Sequence, residues 1–190
     1  LGDMGADVIK VEAPGGDPVR GIGPLRHPGM GAIYLNCNRS KRSLVLDLKQ
    51  PEGRAAALEL AKTADVLVYN VRPQAMARLG LGYEAVRKAN PAIIYASISG
   101  FGQTGPYRER GGFDTIAQGM SGIMMMTGYP GGRPAKVGIA MNDIASGVTA
   151  LYSILGAYIG KLRHGKGQYL ETSLLEAGLA WTHWESGAFF

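Results

Sequence analysis

Short apolar, β-branched runs alternate along the chain with longer stretches in which apolar residues return every three or four positions. This is the pattern of strands and helices laid around a parallel sheet, an α/β fold. Strands are expected at residues 7–12, 43–48, 65–69, 92–98 and 168–172. Residues 51–64 predict a long helix, because Pro51 suits a first helical position and Ala, Leu, Glu and Lys dominate the rest of the segment. A shorter helix is expected at 83–90, halted before Pro91, and another at 113–122. The strongest helical signal covers 144–163, where Val148, Leu151, Leu155, Tyr158 and Leu162 mark one apolar face. Gly156 and Gly160, one turn apart in it, would let another backbone come close, and 174–187 reads as a last helix.

Three Gly/Pro-rich stretches, 13–31, 100–112 and 128–138, break this rhythm. Loops of that length inside a compact domain are more often functional than idle. Glycine supplies 29 of the 190 residues, without a G-x-y period or an accompanying Ser/Gln tract, so collagen and flexible linkers are excluded. The 46% hydrophobic content is enough for a real core and excludes disorder. No internal repeat and no shift in composition marks a domain boundary.

Twenty Lys and Arg against 15 Asp and Glu leave a net charge of +5, which favours an anionic partner. The densest basic run, Arg39, Lys41 and Arg42, has no aromatic stacking pattern beside it, so nucleic acid is not the expected partner. A single cysteine, Cys37, excludes an internal disulfide and a multi-thiol metal site and fits a reducing cytoplasm. His27, His164 and His183 lie too far apart in sequence to suggest a metal site. The longest uncharged stretch, 144–160, falls short of a membrane span and is diluted by Ser, Thr and Tyr. Leu1-Gly2-Asp3 lacks the charged start and apolar run of a signal peptide; entry directly into an element leads us to expect a fragment.

Three constellations could carry chemistry. Gly100-Phe101-Gly102-Gln103-Thr104-Gly105 matches a dinucleotide fingerprint, but Pro106 and a polar, glycine-ended segment come next where that fingerprint needs a helix, and the strand before it is a late one. Asn70-Val71-Arg72-Pro73, with Arg78 beyond, comes directly after a strand, where open α/β sheets bind ligands; either these groups hold an anion, or Asn70 caps a turn and the arginines are solvated. Asp143 stands at the entrance of the long helix. The residues alone favour an N-cap, since Asp is a preferred cap and its charge suits the positive helix end, over the alternative of a nucleophile kept ionised by the helix dipole and backbone N–H groups.

The residues also carry a resemblance. Residues 1–14, from Leu1-Gly2-Asp3-Met4 to Val11-Glu12-Ala13-Pro14, with Asp17 and Arg20 and then Asn38-Arg39-Ser40-Lys41-Arg42-Ser43, resemble the opening of the family III CoA-transferases. This similarity continues in order through Ala64 to Pro73, Arg78 to Leu81, Ser97 to Pro106, Gly112-Phe113-Asp114, Asn142-Asp143, Gly165 to Gln168 and Ser173 to Ala177. It implies a Rossmann-like parallel sheet with flanking helices, residues 1–190 being a fragment of the large CoA-binding domain without its first strand, the small domain and the C-terminal part. It also implies an interlocked homodimer that moves CoA from an acyl-CoA to a carboxylic acid, with coenzyme A as substrate and no tightly bound cofactor.

By the same resemblance Asp143 is the nucleophile, passing through a mixed anhydride and an aspartyl-CoA thioester. CoA contacts fall on Leu46, Asp47, Leu48 and Lys49, on Asn70, Val71, Arg72 and Arg78, and on Gly111, Gly112, Phe113 and Asp114. Ala13 replaces the arginine that formyl-CoA transferase-like members carry after the strand glutamate, so that nucleotide contact is lost or replaced. α-Methylacyl-CoA racemases are similar too, but use a histidine where Phe113 stands, and phenylalanine carries no proton. A non-catalytic CoA-binding protein is the third reading.

Overall fold

The computed structural model describes the backbone of residues 1–190 and every side chain but that of Pro73. The chain divides into two compact units, Leu1–Leu60 and Ala61–Phe190. The division falls inside a helix, which is why no change in composition announced it.

In the first unit, β1 (Val8–Glu12) and β2 (Lys41–Val45) pair in parallel, from Val8 opposite Lys41 to Glu12 opposite Val45. The second strand starts two residues earlier than its apolar run predicts and ends at Val45, because pairing with β1 draws in the polar Lys41 and Arg42. Leu46, Asp47 and Leu48 therefore lie beyond the strand, with only the Leu46 N–H still reaching the Glu12 carbonyl, at 2.9 Å. Between the strands, the 13–31 loop makes a 3-10 turn at Pro18–Gly21, capped where the Asp17 carboxylate accepts the Val19 N–H, and then α1 (Ala32–Cys37). α2 (Pro51–Thr63) starts on Pro51 as expected.

The second unit holds β3 (Val66–Tyr69), β4 (Ile94–Ser99) and β5 (Gln168–Ser173), all parallel, with β4 in the middle. β4 is buried from Ile94 to Ser97, as a strand covered on both faces must be. α3 (Pro73–Arg78) and α4 (Tyr83–Ala89) link β3 to β4; α5 (Asp114–Met120), α6 (Ile123–Met126) and α7 (Met141–His164) link β4 to β5. Such long crossovers are what parallel pairing demands. α8 (Leu174–Trp181) and α9 (His183–Phe189) complete the chain, split at Thr182, so the single terminal helix expected from the sequence is two.

α7 corrects two expectations. It begins at Met141, a turn before the periodic pattern starts, and its buried residues are Asn142, Ala145, Ser146, Ala150, Ile154 and Ala157. The larger Val148, Tyr158 and Leu162 are exposed, Leu162 by 70%. Small residues let the helix axis come close to β4 and β5, and the bulky stripe turns outward. A Cβ added at Gly156 would meet nothing within 4 Å, so no backbone approaches there.

Candidate functional site at the start of α7

Parallel strands put their C-terminal ends on one side of the sheet, and the segments that leave those ends in the second unit meet there. Asn70, Val71 and Arg72 come directly after β3. The 100–112 loop leaves β4 and returns to its own origin: a Cβ on Gly100 would stand 2.7 Å from the Gly112 Cα, so neither glycine tolerates a side chain without displacing the other strand of the loop. Its tip is pinned by Gly102 N–H to the Ser99 hydroxyl at 2.9 Å and by Gln103 Nε2 to the Ser97 hydroxyl at 2.7 Å. The Leu175 N–H, at the start of α8, donates to the Gly100 carbonyl at 3.2 Å. The Arg72 guanidinium reaches this loop, 3.7 Å from where a Cβ at Gly111 would lie.

Gly112 then delivers Phe113, whose side chain is 77% exposed, and Asp114, which is buried at 8%. Asp114 opens α5, and its Oδ1 accepts the Asn142 N–H at 2.8 Å and the Asp143 N–H at 3.3 Å. Its Oδ2 accepts from Gln118 Nε2 at 2.7 Å. Gln118 is fully buried; it also donates to the Ile139 carbonyl at 3.1 Å and accepts the Val137 N–H at 3.0 Å.

Asp143 is therefore not an N-cap. The cap position of α7 is Ala140, which offers no side-chain oxygen, and Asp143 is the third residue of the helix. The two amides that a capping side chain takes are those at the second and third helical positions. Asp114 supplies that oxygen from another helix. The exposed Asp143 carboxylate has no hydrogen-bond or ion-pair partner among the described residues. Partial desolvation, and after it the Asp114 charge, raise its pKa above the ordinary aspartate value.

Below Asp143, the fully buried Asn142 ties the helix to α8: its Nδ2 donates to the Leu174 carbonyl at 3.0 Å and to the Ser121 hydroxyl at 3.4 Å. Gly178 of α8 lies flat against it, and a Cβ there would run into Asn142 Nδ2 and the Ser121 side chain.

The structure thus brings Arg72, Gly111, Gly112, Phe113, Asp114 and Asp143 into one neighbourhood. Arg72 and Arg78, both exposed, have no ion-pair partner among the described residues, and the Asn70 side chain has no hydrogen-bond partner there. Leu46, Asp47, Leu48 and Lys49 belong to the first unit, where Asp47 Oδ1 accepts the Lys49 N–H at 3.0 Å and fixes the turn into α2. The sequence reading missed Gln118. The i, i+4 spacing of Asp114 and Gln118 on α5 was its one local signal. A shallow concavity of about 490 Å³, lined by Tyr69, Tyr83, Tyr95 and Tyr169 among others, includes none of Arg72, Asp114 and Asp143. No group of three metal-ligating side chains, and no helix long and apolar enough to cross a membrane, occurs among the described residues.

Parallel sheets with flanking helices, and a site at the carboxyl ends of the strands, define a Rossmann-like α/β protein. Within that class the chain belongs to CoA-transferase family III, whose model it matches over residues 1–189. It is 48% identical over 183 residues to the succinate–glutarate CoA-transferase of Agrobacterium fabrum, covering 93% of this chain and 46% of that protein. It is 46% identical over 183 residues to the acetyl-CoA:oxalate CoA-transferase of Acetobacter aceti, with 95% and 46% covered. A CAIB/BAIF family protein from Brucella suis has the same fold, with a TM-score of 0.94 and 41% identity over 98% of this chain and 50% of that one. The chain spans about half the length of the relatives it matches.

Proposed function

We propose that the protein carrying this chain exchanges CoA between an acyl-CoA and a free carboxylic acid, with Asp143 as the nucleophile. The observation that supports this reading is the Asp143 carboxylate: it stands at a helix start, exposed, while another residue satisfies the amides it would otherwise cap. Attack of this carboxylate on the thioester carbonyl forms an acyl-aspartyl anhydride and releases CoA thiolate. The thiolate then attacks the aspartyl carbonyl, forming an aspartyl-CoA thioester and releasing the first acid as its carboxylate. An incoming carboxylate displaces the thiolate to give a second anhydride. Return of the thiolate to the new acyl carbonyl completes the new acyl-CoA and restores Asp143. Each step breaks one acyl bond as it forms another, and the overall reaction trades one thioester for another, so the covalent intermediates divide one difficult exchange into easier steps.

CoA is polyanionic, and the unpaired Arg72 and Arg78, with Asn70, Val71, Gly111, Gly112 and Phe113, are the contacts we assign to it in the second unit; Leu46, Asp47, Leu48 and Lys49 are assigned in the first. The acids named in the relatives, succinate, glutarate and oxalate, are dicarboxylates, and we take a dicarboxylate as the acceptor class. The exposed Leu162, Trp181, Trp184 and Phe189 support a homodimer, a second copy covering apolar surface that this chain leaves open. An exposed Phe113, unable to carry a proton, argues against α-carbon racemisation.

The test is made on the full-length protein with succinyl-CoA and glutarate. Asp143→Ala is expected to lower exchange by at least about a thousandfold, the scale on which loss of a covalent nucleophile is felt. Hydroxylamine added during turnover of the parent is expected to leave a hydroxamate on Asp143, read by peptide mass spectrometry. Undiminished exchange in the variant would overturn the reading.

A further inference from the structure

We propose that Asp114 is a positioning residue for the reaction, freeing the Asp143 carboxylate by capping α7 from α5, and not a contact to CoA. The inference rests on the reading of Asp143 as nucleophile. A helix start exposes N–H groups that have no partner inside the helix, and an acidic side chain in the first turn is the nearest group able to fold back onto them. Ala140 cannot serve, so Asp143 would be drawn to that task. Asp114 Oδ1 removes the need, at 2.8 Å from the Asn142 nitrogen and 3.3 Å from the Asp143 nitrogen.

The same carboxylate has nothing left for a ligand. Its Oδ2 is held by Gln118 at 2.7 Å, and the residue is 8% exposed. A buried anion already holding three donors is a poor contact for the phosphates of CoA. Gln118 extends the device to the chain leading into α7. With Val137 on its oxygen and Ile139 on its nitrogen, it fixes the approach to the helix and the orientation of Asp114 together. Every polar atom of this Asp114–Gln118 pair is used inside the protein, and the exposed Asp143 carboxylate is left without a partner among the described residues.

The placement also puts one negative charge beside another. From the other elements packed around this helix start, Glu176 of α8 accepts from the Ser173 hydroxyl at 2.8 Å, Glu171 of β5 takes the Tyr169 hydroxyl at 3.2 Å, and Lys136 donates to the carbonyls of Val137 and Ile139. Partial burial first, and the neighbouring Asp114 charge after it, raise the basicity of a carboxylate that must attack a thioester.

The experiment compares Asp114→Asn with the parent in the full-length protein, using succinyl-CoA and glutarate. Its amide cannot satisfy both Gln118 and the two α7 amides, and it carries no charge. We expect kcat to fall by about tenfold to a hundredfold, the cost of misplacing a reacting group by a fraction of an ångström, with KM for succinyl-CoA within about twofold of the parent. We also expect the Asp143 titration midpoint, followed by NMR of carbon-labelled aspartate, to move to lower pH. Asp114→Ser keeps an oxygen acceptor without the charge and carries the same test if the amide variant does not fold. It is expected to retain more kcat than Asp114→Ala at the same KM.

An increase in KM with kcat preserved would overturn the proposal in favour of a CoA contact. So would an unchanged kcat together with an unchanged midpoint. If Asp143→Ala itself keeps full exchange, the nucleophile reading falls separately. The NMR midpoint then decides alone whether Asp114 acts on Asp143: a downward shift supports the positioning role and no shift overturns it.

Discussion

Two carboxylates, one in each unit, receive opposite treatment. Glu12, at the end of β1, is 4% exposed and accepts five donors: Arg20 Nε at 2.7 Å and Arg20 Nη2 at 2.8 Å, the Asp17 N–H at 2.9 Å, the Tyr34 hydroxyl at 3.0 Å and the Ser43 hydroxyl at 2.8 Å. Asp143, at the start of α7, has no partner for its side chain among the described residues. The Arg20 guanidinium, against the opposing cost of burial, holds Glu12 well below the usual carboxylate range, whereas desolvation and Asp114 push Asp143 up. Among the arginines, Arg20, Arg39 and Arg42 of the first unit are paired with Glu12, Asp3 and Asp7, and Arg87 and Arg108 of the second with Glu84 and Glu109, while Arg72 and Arg78 are unpaired among the described residues. A carboxylate that closes a loop is saturated by its own chain; one left unsaturated at the carboxyl ends of parallel strands is available to something else.

The contrast is broken most severely at Glu12. Glu12→Gln keeps the shape but turns an NH2 group toward a cluster of donors and leaves Arg20 without its counter-charge. We expect a loss of about 2–3 kcal/mol, the range for hydrogen bonds to charged groups, measured by urea unfolding. The pH dependence gives the sign. A depressed folded pKa means that the Glu12 contribution is complete above the ordinary glutamate value of about 4.3 and fades as pH falls below it, so the variant flattens the acid side of the stability curve. Asp143 runs the other way. Its raised pKa favours the neutral form in the folded state, so the ionised group costs stability as pH rises through that value. Asp143→Asn should gain on the parent as pH rises above the ordinary aspartate value of about 3.9, by less than about 1 kcal/mol because the group is exposed. A gain in the acid direction would contradict the assigned environments.

An effect between those at Glu12 and Asp143 is expected where the second unit builds the floor beneath its unpaired carboxylate. Gly178→Ala adds a methyl group where Asn142 Nδ2 and Ser121 already lie, and α8 must move off α7 to admit it. Overpacking of this kind costs about 1–3 kcal/mol. Because Asn142 precedes Asp143 in the same turn, exchange activity should fall with stability. Full activity in a destabilised variant would mean that the Asn142 tie does not govern where Asp143 points.

Much of this was legible locally, and the rest was not for definite reasons. The β-branched runs located all five strands within two or three residues, and Pro51 placed the start of α2. α1, α3 and α6 are too short, at six, six and four residues, to show a helical period. The start of α7 escaped because its cap is Asp114, in a different helix, and local sequence carries no signal for a cap supplied across the fold. The exposed stripe of Val148, Tyr158 and Leu162 misled for a related reason: periodicity locates an apolar face but not what it faces. Asp143 itself was visible through the ordered family motifs, while the finding that it does not cap α7 needed the Asp114 geometry.

The finest test of the contrast lies in the unpaired arginines, where the expected effect is the least. An exposed arginine already bound to a carboxylate loses that partner when it takes up a phosphate; Arg72 and Arg78 lose only water. Each is therefore expected to contribute to CoA affinity more than a paired surface arginine does. Arg72→Gln and Arg78→Gln in the full-length protein should each raise KM for succinyl-CoA by about threefold to tenfold with kcat nearly unchanged, and the increase should shrink as salt is added, because exposed charges are screened. Arg42→Gln, whose guanidinium lies 2.6 Å from Asp7, serves as the paired control and should leave KM within error. Equal effects at Arg42 and Arg78 would mean that net positive charge, and not the absence of an intrachain partner, is what CoA reads.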